Sequence, residues 1–295
     1  MAAEAFFLPL AHGQRFCLFH PARVSPGAAS RGQVVYVHPF TEEMNKSRRM
    51  AALQSRALAQ AGFDVLQMDL LGCGDSSGDF GDATWEAWVQ DVLAACHWLR
   101  ERHALQATPP GVRPPLWLWG LRAGCLVATQ AAQVLQEPVS FLFWAPTPSG
   151  KPLLQQFLRL KAAADIASGN AKAVMEGLRS DLARGEPVEI AGYLLAPALA
   201  HDLEQATLVP PATIAAGSIP GTQPILGHRV EWFEISTRAD ATLTPVAAKA
   251  IDQWQQAGYQ VRSHIVQGPS FWQTTEIEDA PALIATTTVA LQQRE

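Results

Sequence analysis

The sequence predicts an α/β protein built on a mostly parallel, doubly wound sheet with an inserted helical block. Short, continuous apolar runs such as Gln33–His38 and Val139–Trp144 are typical of strands buried on both faces of a sheet. Between the runs lie amphipathic segments, of which Thr84–His103 has Trp85 and Trp88 at helical spacing. Strands that alternate with helices in this way favour a parallel sheet.

Composition sets limits on the class of protein. The 295 residues are 48% hydrophobic and 17% charged, which is enough for one large globular domain with an insertion. A net charge of −5 without a basic tract argues against a nucleic-acid partner. No apolar run approaches the roughly 20 residues of a membrane span.

The cysteines and the amino terminus indicate the compartment. Cys17, Cys73, Cys96 and Cys125 are scattered without metal-ligand spacing, so we expect reduced thiols and neither a metal ion nor another cofactor. The amino terminus has no positive region before its apolar part, which argues against a signal peptide. We therefore expect a cytoplasmic protein.

The first half of the chain reads as a hairpin followed by strands and helices. Phe6 and Leu8 alternate with other residues as in an antiparallel edge hairpin, and Gly62 ends the first helix. The predicted elements are the hairpin Glu4–Leu10 and Gln14–His20, the strand Gln33–His38, the helix Lys46–Ala61, the strand Asp64–Leu70, the helix Thr84–His103, a strand from Leu116 into Gly120, a helix ending near Gln136 and the strand Val139–Trp144.

The alternation stops between Pro146 and His228, where no convincing strand is found. We predict an α/β core of residues 1–146 and 229–295, and a helical cap of residues 147–228 beside the carboxyl edge of the sheet. The elements predicted here are the helices Leu153–Ala167, Ala171–Ala183 and Gly192–Leu203, then the strand Val230–Ile235, the helix Pro245–Ala257, the strand Gln260–Val266 and the helix Pro281–Gln292.

The stretch Gly120-Leu121-Arg122-Ala123-Gly124 joins an apolar strand to an Ala-rich helix. This is the layout of a nucleophile elbow, G-x-S-x-G, in which the central residue is exposed at a sharp strand-to-helix turn. Here the central residue is Arg122. A guanidinium has no free lone pair and stays protonated at ordinary pH, so it cannot serve as the nucleophile.

With two further motifs, the elbow carries a family resemblance. Val37-His38-Pro39-Phe40 follows the third strand, and Asp69-Leu-Leu-Gly-Cys-Gly-Asp-Ser76 follows the fourth. Together they resemble the α/β-hydrolase superfamily over nearly the whole chain, which implies an α/β-hydrolase fold. More narrowly, the elbow together with Gly268-Pro-Ser-Phe-Trp272 resembles exosortase A system-associated hydrolase 2. That group is tied by gene neighbourhood to exopolysaccharide and protein-sorting loci.

The resemblance implies a triad in the order nucleophile, acid, histidine. Asp240 is the residue that matches the acid, whereas Phe271 occupies the histidine position. His264 lies within the last predicted strand and is poorly placed. Two of the three members are therefore missing, and the triad is degenerate.

Other side chains offer weak alternatives as nucleophiles. Ser76 and Ser77 are also ordinary turn residues, and Cys125 is expected to point into the packing between helix and sheet.

Three interpretations of Arg122 remain open. It could anchor an anionic ligand at a helix N-terminus, or pair with Asp240 across the empty histidine position. In the third, Asp240, His38 or a residue of the cap holds a water molecule while Arg122 stabilises an oxyanion. Glu42 or Glu43 could also face Arg122.

The candidate residues are of two kinds, catalytic and ligand-binding, and they are compatible with two alternative functions. Arg122 and Asp240 are the catalytic candidates by position. The ligand-binding candidates flank the same edge of the sheet and are His38, Phe40, Leu121, Arg122, Phe271 and Trp272. The first function is a non-triad member that binds an anionic or saccharide-like ligand, or a protein partner, in an exopolysaccharide pathway. The alternative is a hydrolase or acyltransferase that uses Asp240 and Arg122. A homodimer is also an expected assembly.

Overall fold

The computed structural model of the chain describes residues 2–25, 28–106, 113–164, 171–212 and 228–293. Among these residues, no helix combines the length and the apolar character that a membrane span requires.

Eight strands form one sheet in the order β1-β2-β4-β3-β5-β6-β9-β10. All neighbouring pairs from β4 to β10 are parallel, whereas β2 pairs antiparallel with both β1 and β4. The strands are β1 (Glu4–Leu10), β2 (Gly13–His20), β3 (Gly32–Val37), β4 (Phe63–Met68), β5 (Leu116–Leu121), β6 (Val139–Trp144), β9 (Arg229–Ser236) and β10 (Gln260–Gln267). The predicted amino-terminal hairpin and mostly parallel sheet are confirmed.

Helices cover both faces of this sheet, as the prediction of a doubly wound sheet requires. One core contains Val92, Val127 and Trp254, and the other contains Met50 and Leu283. The helices are α1 (Glu42–Gln60), α2 (Trp85–Gln106), α3 (Ala123–Val134), α4 (Lys151–Ala164), α5 (Ala171–Ala183), α6 (Pro197–Gln205), α7 (Pro245–Gln256) and α8 (Pro281–Gln292). Helices α2, α3 and α7 therefore pack on one face, and α1 and α8 pack on the other.

Helix α1 begins at Glu42, four residues before the predicted start at Lys46. The preceding residue, Thr41, adopts φ 50° and ψ −126°, so the chain turns sharply after β3. Glu42 and Glu43 then occupy the first turn, where carboxylates favour the positive end of the helix dipole. The earlier start places Glu43 at the carboxyl edge of the sheet.

The inserted block contains α4, α5 and α6, and also a small antiparallel hairpin of β7 (Val188–Ile190) and β8 (Tyr193–Leu195). The prediction of no strand is therefore wrong. The helix predicted from Gly192 to Leu203 is confirmed from Pro197 onward, but its first residues belong to β8. The hairpin turns at Ala191 and Gly192, which both have positive φ, as a two-residue hairpin turn requires.

Part of the predicted cap lies outside the described residues. This includes the end of the helix predicted at Leu153–Ala167, which the structure describes as far as Ala164. The limits of the core and cap stay a prediction.

Two glycines make the turn between β5 and α3 sterically feasible. A Cβ atom on Gly124 would lie 2.1 Å from the carbonyl oxygen of Val37, and one on Gly120 would lie 2.5 Å from Cα of Cys125. Real Cβ atoms do not approach so closely. A side chain at Gly124 would push α3 away from β3, and one at Gly120 would push α3 away from β5. The two glycines thus fix how closely the helix approaches the sheet.

We predict that Gly124→Ala destabilises the protein by about 1–3 kcal/mol, because overpacking forces the backbone to shift. The matched control is Gly177→Ala in α5, where an added Cβ meets nothing within 4 Å. The control should gain roughly 0.5–1 kcal/mol from helix propensity. Thermal and urea unfolding measure both variants, and a Gly124→Ala protein as stable as wild type would contradict the role of this contact.

Candidate functional site

The elbow has the backbone geometry that its sequence predicts. Arg122 lies between β5 and α3 with φ 54° and ψ −117°. Its amide donates to the Trp144 carbonyl at 3.1 Å, and its carbonyl accepts from the Cys125 amide at 3.1 Å. Such a conformation costs a residue other than glycine about 1–3 kcal/mol. The protein retains this strained turn although the residue it presents is not a nucleophile.

The Arg122 side chain contacts a carboxylate from α1 and an amide from α4. Nε of Arg122 lies 3.4 Å from Oε1 of Glu43, and Nη2 donates to Oε1 of Gln156 at 3.1 Å. Nε2 of Gln156 donates in turn to the same Glu43 oxygen at 3.2 Å. The side chains of Arg122 and Glu43 are only 13% and 5% exposed. We refer to Arg122, Glu43 and Gln156 as the elbow cluster.

Glu43 is the least satisfied member of the elbow cluster. Its Oε2 atom is buried without a hydrogen-bond partner, and the 3.4 Å contact of Oε1 with Arg122 is long for a charge-assisted bond. Burial raises the pKa of Glu43, while the nearby Arg122 charge acts in the opposite direction. The desolvation effect prevails, so Glu43 holds its proton more tightly than an exposed glutamate.

Two residues that carry no recognisable motif complete the surroundings of Arg122. Gln156 comes from the inserted block, and Glu234 comes from β9, where Nε1 of Trp232 donates to it at 2.8 Å. Burial raises the pKa of Glu234, and Arg122 again acts in the opposite direction. Sequence analysis missed both residues because neither the cap helix nor the middle of β9 has a signal that points to the elbow.

Trp272 is the aromatic residue next to Arg122. Cζ of Arg122 lies 5.6 Å from the centroid of its ring, within the range of a cation–π contact. Nε1 of Trp272 is buried without a hydrogen-bond partner. This indole N–H is an unused donor on the ring against which Arg122 packs.

Asp240 does not pair with Arg122. Its side chain is 75% exposed and accepts hydrogen bonds from Nη2 of Arg238 at 2.9 Å and from Nε at 3.1 Å. Those bonds lower the pKa of Asp240. The second of the three interpretations, a pair between Arg122 and Asp240, is therefore wrong, and Glu43 is the carboxylate that Arg122 contacts. The expectation that Glu42 or Glu43 faces Arg122 is confirmed for Glu43.

His38 is engaged by the backbone on both sides of its ring. Its Nδ1 lies 2.8 Å from the Pro39 carbonyl, and its Nε2 lies 3.2 Å from the Leu70 amide. The amide can only donate, so Nε2 accepts and Nδ1 carries the proton, as in a neutral imidazole. Burial lowers the pKa of His38, which agrees with this form. The two bonds join the loops that follow β3 and β4, and a ligand contact of His38 stays a prediction.

Three other predicted ligand contacts are core residues. Phe40 packs edge-on against Phe80, Trp88 and Phe157, and Leu121 is buried in the core beneath α1 and α8. Phe271 is fully buried and packs against Trp144. The position that we predicted to match the family's histidine thus holds a buried apolar ring. Apolar side chains at strand ends complete the core here, so their position alone did not indicate a binding role.

The alternative nucleophiles are engaged elsewhere. Ser76 donates to the Asp69 carbonyl, and the Ser77 oxygen accepts from the Gln14 amide. Cys125 is fully buried, as expected, and burial raises the pKa of its thiol well above the ordinary value. None of the three is placed to attack a substrate at the elbow.

Two surface grooves lie away from the elbow cluster. One, of about 650 Å³, is lined by Arg15 and Asp91, and the other, of about 700 Å³, is lined by Gln130 and Gln205. No member of the elbow cluster lines either groove. Within the described part of the chain, no group of His, Cys, Asp and Glu side chains could hold a metal ion.

Comparison with known proteins establishes the family. The model of the Hydrolase_4 family, described as serine aminopeptidase S33, matches residues 28–219, more than half of the chain. The chain therefore belongs to this family of α/β-hydrolases. Human protein ABHD12B is 34% identical over 104 residues, which are 35% of this chain and 25% of that protein. The chain thus matches about a quarter of the length of that relative.

Solved structures show the same fold. Est1E from Butyrivibrio proteoclasticus, solved with ferulic acid, has a TM-score of 0.64 at 12% identity and covers 98% of this chain and 96% of its own. XC6422 from Xanthomonas campestris, described as an α/β serine hydrolase without a lid, has a TM-score of 0.53 at 14% identity, with 99% and 93% covered. Mouse α/β hydrolase domain-containing protein 10 has a TM-score of 0.54 at 16% identity, with 98% of each chain covered.

We predict that Glu43→Gln becomes progressively more stable than wild type as pH rises above about 4.5, the ordinary pKa of a glutamate. Because the pKa of Glu43 is raised, the native state retains a proton that the unfolded chain releases. The bound proton stabilises the folded protein. This stabilisation is fully present below the pKa of the unfolded chain and is lost as pH rises through the raised pKa of the folded protein. Glutamine has no such proton to lose.

The control for this experiment is Asp240→Asn. The lowered pKa of Asp240 means that its contribution is fully present above about 3.8. The difference in stability between this variant and wild type should therefore stay constant over the range in which Glu43→Gln gains. Urea unfolding at a series of pH values measures both differences, and a flat curve for Glu43→Gln would show that Glu43 is not a buried acid of raised pKa.

Proposed function

We propose that this protein is a non-hydrolytic member of its family that binds an anionic ligand, with Arg122 as the anchor. One observation carries the proposal. Arg122 lies on the strained elbow and contacts an internal carboxylate of which only one oxygen has hydrogen-bond partners. Glu43 binds Arg122 through one long contact, and its second oxygen has no partner. A ligand carboxylate or phosphate that binds both nitrogens of the guanidinium makes a stronger contact.

Three groups favour a negative charge at this position. The guanidinium of Arg122 supplies a planar pair of donors. Helix α3 begins at Ala123, and the first amides of a helix lack intrahelical partners and lie at the positive end of its dipole. The indole N–H of Trp272 adds a buried donor without a partner. The anion would take the place of the Glu43 carboxylate beside Arg122. The hydrogen bonds that Gln156 makes to Arg122 and to Glu43 would then be broken.

The residues of the site argue against the alternative of a hydrolase or acyltransferase that uses Asp240 and Arg122. An acyl-enzyme needs a nucleophile with an adjacent base, and neither a serine nor a histidine stands at the matching positions. Asp240 is exposed and bound to Arg238. The family and its relatives are hydrolases, so the hydrolytic alternative deserves a direct test.

The resemblance to exosortase A system-associated hydrolase 2 supports an acidic saccharide of an exopolysaccharide pathway as the ligand. A uronic acid carries the carboxylate that Arg122 would bind. We also propose a cytoplasmic location, because the four cysteines are free and buried, as is typical of a reducing compartment.

The proposal predicts that the protein does not hydrolyse acyl substrates. We expect p-nitrophenyl butyrate, an acyl thioester and an aminoacyl p-nitroanilide to be hydrolysed no faster with the protein than in buffer, because the elbow carries no nucleophile. Steady-state assays of wild type, Asp240→Ala and Arg122→Ala test this directly. Turnover by wild type that either substitution abolishes would refute the binding function and establish the hydrolytic one.

The proposal also predicts selective binding of acidic sugars. D-glucuronate should raise the melting temperature of wild type and bind in calorimetry, whereas D-glucose, which lacks the carboxylate, should not. Arg122→Ala should lose this binding, and Glu43→Gln should strengthen it because the competing internal carboxylate is gone. Arg238→Ala, which removes an exposed arginine elsewhere, should bind like wild type. Equal binding of both sugars, or unchanged binding by Arg122→Ala, would rule out the anchor.

A further inference from the structure

Strand β10 is the outer strand of the sheet and has no neighbour beyond it in the described part of the chain. It is eight residues long and contains neither proline nor glycine. A long outer strand is a ready template for pairing with another chain, and proteins usually protect it with proline, charges or a bulge. The opposite edge has such protection, because β1 contains Pro9 and its Glu4 side chain is bound by Arg102.

The backbone of β10 shows which residues face outward. The amide of Gln260 donates to the His228 carbonyl at 2.9 Å, and the amide of Gly268 donates to the Ser236 carbonyl at 2.9 Å. Even-numbered residues therefore direct their backbone groups toward β9. Because these groups alternate along a strand, Val261, Ser263 and Ile265 direct theirs toward the open edge.

We propose that two copies of this protein associate through β10, antiparallel about a two-fold axis at Ser263. The outward residues read Val-Ser-Ile in one direction and Ile-Ser-Val in the other, so this register pairs each Val261 with Ile265 of the second copy. Three residue pairs that exchange two bonds each supply about six hydrogen bonds across the axis. The two sheets become one continuous sheet.

The side chains of β10 fit this partner. Ile265 is 40% exposed, and Val261 packs partly against the core on the same side of the strand. Pairing the two covers an exposed apolar side chain, and such cross-strand pairs stabilise sheets. Arg262 is the charged residue of β10, and Glu231 of the same copy accepts a 2.8 Å bond from its Nε. Glu231 also binds Arg229, so it balances one of these two positive charges within each copy. The self-complementary pattern is the reason to assign a second copy instead of a different protein.

Light scattering after size-exclusion chromatography tests the assembly. Wild type should elute with twice the 31.9 kDa mass of the chain, and Ile265→Lys should elute as a monomer because it places a charge in the pairing edge. Leu105→Lys is the control, since Leu105 is 88% exposed on α2, which packs on β3 and β4 in the middle of the sheet. This variant should stay dimeric, and circular dichroism should show both variants folded.

Cross-linking tests the register. Ser263→Cys places two sulfurs at the axis, where Cα atoms about 5.5 Å apart allow a disulfide. Gln260→Cys on the same strand is the control, because its two copies would lie about 20 Å apart. The native cysteines are buried and should not react. Ser263→Cys alone should give covalent dimers under mild oxidation.

The proposal fails if wild type is monomeric over the whole concentration series, or if Ile265→Lys remains dimeric. It also fails if both lysine variants lose the dimer equally, or if Gln260→Cys cross-links as readily as Ser263→Cys. A monomeric wild type is also the result expected if another protein is the true occupant of the edge.

Discussion

The close approach of α3 to β3 is the constraint on which the site depends. Gly124 lies so near the Val37 carbonyl that no side chain fits between them. This contact forces the chain to reverse within one residue after β5, and that residue is Arg122 at φ 54°. In the family, such a turn presents a nucleophile. Here the same backbone presents a guanidinium at the start of a helix. The charge of Arg122 adds to the positive end of the helix dipole, and no attacking group is presented there.

The inserted block completes the site through a single amide. Gln156 on α4 bonds to both Arg122 and Glu43, and the neighbouring Phe157 packs on Phe40 above the sheet. The charged cluster and the aromatic contact therefore hold the same helix. Because Glu43 is imperfectly paired, the polar part of this attachment is weaker than the apolar part. Any ligand that takes Arg122 from Glu43 acts directly on the position of α4.

Sequence patterns predicted the sheet well and the site only in part. Val139–Trp144 and Pro281–Gln292 were predicted at the bounds that the structure has, because continuous apolar runs and helical periodicity reflect burial directly. The β7–β8 hairpin was missed because strands of three residues carry too little periodicity. The elbow was recognised from its glycines, whose spacing follows from backbone sterics. Of the residues around Arg122, sequence analysis suggested Glu43 but not Gln156, which reaches Arg122 through tertiary packing that no local pattern encodes.

The burial of Phe271 has a consequence for attempts to build a Ser-His-Asp triad at the elbow. Phe271 is fully buried against Trp144, so a histidine there would have to place a polar ring inside an apolar core. Asp240, the acid that would orient such a histidine, faces solvent and binds Arg238. A serine introduced at position 122 would thus stand on a correct turn, with Phe271 instead of a histidine at the predicted matching position. Building a triad here would therefore require repacking the loop after β10 as well as changing residue 122.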